Sequence, residues 1–168
     1  MRLSTIGLMI AALAAVVAGT ACGLILSVYA PGVGPLMLFF GITPVLKVIV
    51  IFIGLMLPGM VVVGLAGLAW PRRQEAGPGP AEVLLWLSAS LCVAFGVLAG
   101  LYGEMNTQLG IKAVGPVSFA VTAPSRAESL LALTVGLSGA ALALAFSVGI
   151  VTRRLGVRPE PAGPALDI

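Results

Sequence analysis

Residues 82–105, EVLLWLSASLCVAFGVLAGLYGEM, place twenty-one consecutive uncharged residues between Glu82 and Glu104. An α-helix needs about 20 mostly apolar residues to cross a hydrocarbon core about 30 Å thick. The stretch therefore reads as a membrane-spanning helix. Three others match it, at about Thr5–Tyr29, Pro44–Trp70 and Ala127–Thr152. Their separators are turn-rich: APGVGP at 30–35, PRRQEAGPGP at 71–80, and a loop at 106–126 that includes Gly115-Pro116 and Ala123-Pro124. The predicted fold is all-α, a polytopic membrane protein of four transmembrane helices with short loops, in which residues 1–158 form one membrane domain. The tail 159–168 reads as disordered and cytoplasmic.

Composition points the same way. Of 168 residues, 60% are hydrophobic and 9% charged, against about 25% charged in an ordinary soluble domain. A soluble enzyme or nucleic-acid binder could not cover its surface with so few ionisable groups, although the pI is about 9.3. There is no histidine, which removes imidazole metal sites, Ser-His and Cys-His catalysis and haem ligation together. No nucleophile, base and metal-ligand cluster can be assembled from the remainder, so no enzyme and no cofactor is expected. Paired inverted repeats with broken helices, the mark of many transporters, are not evident. Cys22 and Cys92 lie in apolar runs without CxxC spacing and read as packing residues.

Orientation follows from the basic residues. With the N-terminus inside, Arg2, Arg72, Arg73, Arg153, Arg154 and Arg158 share the cytoplasmic face, and the outer loops keep only Lys112 and Arg126. An N-in, C-in layout is expected, with Lys47 snorkelling to the outer headgroups. The piece Leu36–Ile42 reads either as an interfacial segment or as an outward extension of the second helix. The N-terminus, with a basic start, an apolar core and small residues before Cys22, has some look of a secretory or lipoprotein signal. Gly19 three residues before Cys22, and the unbroken apolar run to Leu26, favour a retained helix.

Two helices carry stripes of small residues that let another helix approach closely. On the third these are Ala89, Cys92, Gly96, Ala99 and Gly103, with Gly100 beside them and Gly110 beyond; on the fourth, Ala132, Gly136, Gly139, Ala143 and Ser147, headed by Glu128. Each stripe alone indicates packing within a bundle, and the pair together suggests a seam that receives another helix. A carboxylate in hydrocarbon is costly, so Glu104 and Glu128 should face a cavity, a polar partner or the interface. For Glu104, beside Asn106, Thr107 and Gln108, pairing with Lys112 or Arg126 is one outcome. For Glu128, stabilising the start of its own helix is another. Thr134, Ser138 and Ser147 are weak signals singly, since intramembrane hydroxyls usually bond back to a helix carbonyl.

The segment from Gly96 to about Ser147 resembles the MotA/TolQ/ExbB proton-channel family, most of all its ExbB/TolQ branch. The resemblance is carried by GVLAGLYGEMN at 96–106, GI at 110–111 and FAVTAPSRAESLLALTVGL at 119–137. Gly103, Met105, Asn106, Ala123, Pro124, Ala127, Glu128, Leu130, Leu131, Gly136 and Leu137 fall on the family pattern. It covers roughly the C-terminal third of the chain, while the four-helix layout is similar to the MotA arrangement. The resemblance implies a bacterial inner-membrane ring of five copies, a homopentameric stator whose last two helices line a pore. Through the pore would pass the transmembrane helix of an ExbD/TolR/MotB-like partner bearing an intramembrane Asp, and ion flow would energise a cell-envelope process such as protein transport. The expected ion path then involves Glu128, Thr134, Glu104 and Asn106. Its small-residue wall would be Gly96, Ala99, Gly100, Gly103, Ala132, Gly136, Gly139 and Ala143, with Ala123 and Pro124 at the loop and helix start. Where the family usually has threonines, this chain has Gly100 and Leu133, and its cytoplasmic portion is reduced to Pro71–Pro80. A non-conducting scaffold of the same fold, holding a partner helix, is the alternative expectation.

Overall fold

A computed structural model describes residues 3–29, 32, 35–70, 78–115 and 118–156. Arg2, Arg72, Arg73, Arg158 and the tail 159–168 lie outside them. Five helices follow in order: α1 (Leu3–Tyr29), α2 (Pro35–Gly41), α3 (Pro44–Ala69), α4 (Pro80–Val114) and α5 (Phe119–Gly156). Among the described residues there is no strand. Four of the helices, all but α2, are long and apolar enough to cross a membrane. With four long helices, the start of α1 and the end of α5 fall on one side. That side, where α3 and α5 end and α4 begins, is called the arginine end below after Arg153 and Arg154; the other is the Thr43 end.

α5 is the central element, in contact with α1, α3, α4 and α2. Lipid tails are as apolar as leucine, so close van der Waals contact, rather than hydrophobic burial, holds such helices together. The sequence supplies that contact with small residues. On the α1 side, Gly19 faces Leu137 and Ser138, and Gly23 faces the Thr134 methyl. On the α3 side, Gly64 lies under the Phe146 ring. α3 buries a single stripe, Leu46, Ile53, Met60 and Gly64, and exposes Val48, Leu55 and Val62, as expected of a lipid-facing helix. It runs through Pro58 without interruption, and Phe52 meets Phe95 of α4 edge to face at 5.1 Å.

Two boundaries differ from the sequence reading. Leu36–Ile42 is not an extension of α3: α2 is a separate seven-residue helix, broken from α3 at Thr43 because Pro44, at the first position of α3, disfavours helical backbone in the residue before it. The loop expected at 106–126 is mostly helix. α4 continues to Val114 and α5 begins at Phe119, with Pro124 inside it. The eleven residues from Glu104 to Val114 rise about 16 Å, which carries α4 and the α4–α5 hairpin well beyond the span expected from the sequence at the Thr43 end. It continues because its polar side chains pair across it. The Thr107 and Ser125 hydroxyls lie 2.9 Å apart, and both Thr107 and Ser129 donate back to their own helix carbonyls, Gly103 at 2.9 Å and Ser125 at 3.0 Å. Gly115, at positive φ, closes the turn.

Candidate functional site

The small residues of α4 and α5 face each other. A Cβ on Gly136 would lie 2.6 Å from the Cys92 carbonyl oxygen and 2.9 Å from the Gly96 Cα, and one on Gly139 would lie 3.1 Å from the Cys92 Sγ. A Cβ on Gly103 would run into the Ser129 side chain. Ala99, Ala132 and Ala143 are completely buried. The seam expected to receive another helix is thus filled by the protein's own α4–α5 contact. Gly100 stands off this seam: it is half-buried, with only Leu133 near it.

Beside that seam, at the Thr43 end, a cleft of about 360 Å³ opens between α1, α4 and α5. Its lining includes Ile25, Gly100, Glu104, Arg126, Ser129 and Leu133. The resemblance's two threonine positions, Gly100 and Leu133, therefore sit together in one place, below a pair of opposite charges. Arg126 Nε lies 3.7 Å from Glu104 Oε2, and Gln108 donates to Glu104 Oε1 at 2.8 Å. Both charged side chains are substantially exposed, so the pair contributes at most about 1 kcal/mol. Its effect is to place charge at the mouth of an otherwise apolar cleft. Asn106, two residues on, is exposed.

Glu128 is turned away from this mouth. Its Oε2 accepts the Thr43 backbone N–H at 3.2 Å, so the carboxylate holds the start of α3. The sequence reading gave it the start of its own helix; since α5 begins at Phe119, Glu128 lies well inside α5 and meets the neighbouring helix's positive end instead. Lys47, one turn into α3, donates to the Phe40 carbonyl of α2 at 3.2 Å and lies 5.8 Å from the Phe39 ring centroid. Glu128 and Lys47 thus fasten the α2–α3 corner from two sides. Thr134 donates to the Leu130 carbonyl at 2.7 Å, the back-bonding expected of an intramembrane hydroxyl. Ala123 is buried and Pro124 exposed in the second turn of α5, which keeps them at a helix start and takes them out of a loop.

One site is not among those expected from the sequence, where Glu82 only bounds the third span. Glu82 is the third residue of α4, and its side chain is 3% exposed. Its Oε2 accepts the Gly79 N–H at 3.3 Å, and its Oε1 lies 2.8 Å from Arg154 Nη2 at the end of α5. The neighbouring Arg153 donates to the Leu68 carbonyl in the last turn of α3. The sequence held the signal: Gly79-Pro80-Ala81-Glu82 is a helix start with an acid three residues after its cap, and Arg153-Arg154 sits at the matching depth of an antiparallel neighbour.

Comparisons with protein-family models, with curated proteins and with solved structures gave no match. What is established is a multi-pass membrane protein in which three long helices pack around the fourth, α5, with a charged cleft at one end and the Glu82–Arg154 ion pair at the other.

Proposed function

We propose that the chain is the ring-forming subunit of an ion-driven complex of the MotA/TolQ/ExbB kind in a bacterial inner membrane. Copies of it would surround the transmembrane helix of an Asp-bearing partner. The reading is supported chiefly by where the residues of the resemblance fall. Gly103 and Gly136 lie in the α4–α5 contact, Ala127 is fully buried, Glu128 fastens α3 to α5, and the two threonine positions line one cleft capped by Glu104 and Arg126. The apolar strip of α4 outside that contact, with Val93, Val97 and Leu101 exposed, is the surface offered to a neighbouring copy or a partner helix.

A specific observation favours the non-conducting scaffold as second reading. The carboxylate of Glu128 is committed to Thr43 and the hydroxyl of Thr134 to Leu130, and the cleft carries Gly100 and Leu133 where a proton path would use hydroxyls. Proton flux into liposomes separates the two. The chain is purified with a single-span, Asp-bearing protein encoded beside it and reconstituted. For the motor, flux is expected from the pair and a fall of at least tenfold in Glu128→Gln, which keeps an acceptor for the Thr43 N–H but no charge. A tight pair without flux identifies the scaffold, and a chain that stays monomeric in mild detergent and binds no such partner rejects both.

A further inference from the structure

At the arginine end, a cavity of about 420 Å³ opens between the end of α3, the start of α4 and the end of α5. Its walls are apolar below, with Gly67 and Ile150 among them, and its rim carries Trp70, Glu82, Arg153 and Arg154. We propose that this cavity binds the headgroup of an anionic phospholipid, with the acyl chains running down the exposed faces of α3 and α4.

Three observations carry the assignment. Among the described residues the lining carries two guanidinium groups and one carboxylate, and that carboxylate is engaged at 2.8 Å by Arg154. Arg153 is exposed, with one N–H committed to the Leu68 carbonyl; a guanidinium has five such donors in a fork that suits phosphate oxygens. Trp70 is 84% exposed at the rim, and an indole on a helix end is at home in the headgroup layer, where its ring meets acyl chain and its N–H meets water or phosphate. A basic cavity between transmembrane helices at headgroup depth is the setting in which anionic lipid headgroups are held. The proposal does not depend on motor or scaffold function.

Trp70 supplies the probe. The chain has two tryptophans, so Trp86→Phe leaves Trp70 alone. In phosphatidylcholine vesicles doped with lipids brominated near the headgroup, brominated phosphatidylglycerol should associate with Trp70 about tenfold more strongly than brominated phosphatidylcholine, the equivalent of one charge-assisted hydrogen bond. Arg153→Gln should bring the ratio close to one, Arg153→Lys should retain part of it, and Lys112→Gln at the opposite end should leave it unchanged. Equal quenching by the two lipids, or a preference that survives Arg153→Gln, overturns the proposal. Displacement of the brominated lipid by millimolar inorganic phosphate also overturns it, since the occupant would then be a free anion. Should Arg153→Gln fail to fold, the ratio in the otherwise unaltered protein decides alone.

Discussion

Gly136 lies where α5 touches the backbone of α4, and a methyl group there would enter the space of the Cys92 carbonyl and the Gly96 Cα. Neither obstacle is a side chain that can rotate away, so the helices must part, and every contact along the seam weakens with distance. Gly136→Ala is expected to destabilise the protein by about 1–3 kcal/mol, the range of overpacked cores. Gly110 is the control. It is exposed and helical, with open space where a Cβ would go, so Gly110→Ala should stabilise by up to about 1 kcal/mol through helix propensity alone. Thermal or denaturant unfolding in one detergent measures both, and changes of the same sign would contradict the close approach. The small-residue stripes were legible from sequence because i, i+3 and i+4 spacing fixes a helix face. What they face was not, because spacing says nothing about which neighbour occupies the groove. Gly100 shows the difference: one residue from the buried Ala99, it borders the cleft instead of the seam.

At the level of elements, the α2–α3 corner depends on a contact from far along the chain. α3 starts with Pro44, and its cap residue Thr43 makes no side-chain cap hydrogen bond, so the Glu128 carboxylate is the polar group that meets the corner. Glu128→Ala should free the Thr43 amide and cost about 1–2 kcal/mol, comparable to removing a helix cap. Hydrogen exchange would localise the effect. Faster exchange is expected at Thr43 and in the first turn of α3, with α1 unchanged; uniform acceleration would mean that Glu128 supports the bundle generally. This contact was illegible because residues 43 and 128 meet only once α5 is known to begin nine residues before Glu128. The four spans were legible because hydropathy reports the hydrocarbon layer directly. The same signal misplaced the ends of α4 and α5, since it marks where lipid stops and not where a helix stops. Thr107 and Ser125 look like loop residues in sequence, yet by pairing with each other they let both helices continue into the polar layer. Glu82 shows the opposite case: its charge marks only the edge of a span in the sequence, while its bonds to the Gly79 N–H and Arg154 draw it into the bundle.

For the whole molecule, the uneven surroundings of the long helices decide what assembly is geometrically open. α5 packs against all the other helices, whereas α4, the helix that shares most of the resemblance with it, packs against α5 and α3 and leaves a row of large apolar side chains exposed. Val93, Val97 and Leu101, at successive four-residue steps, are all exposed, forming a continuous apolar strip from mid-membrane to the level of Glu104. In a lone protein lipid covers that strip. In a ring it meets a partner helix or a second copy, and the two cases differ in what a cysteine placed there can reach. Starting from a protein whose native Cys22 and Cys92 are replaced by alanine, Leu101→Cys should form a cross-linked product in membranes, whereas Val48→Cys, exposed on α3, should remain uncross-linked. A product the size of two chains places copies side by side along α4, and one that appears only on co-expression of the Asp-bearing protein places that protein there. Equal cross-linking at 48 and 101 would indicate random collision, and none at either would leave the strip to lipid and remove the ring. The charged cleft beside that strip gives the result functional weight. Glu104 follows Val97 by seven residues and Leu101 by three, on one face of α4, so a helix held on the Val97 strip would run up to the mouth that Glu104 and Arg126 line. Cross-linking at Leu101 together with flux abolished by Glu104→Gln is the result expected if the partner helix passes this mouth, whereas cross-linking with flux unchanged in Glu104→Gln would leave the cleft outside the ion path.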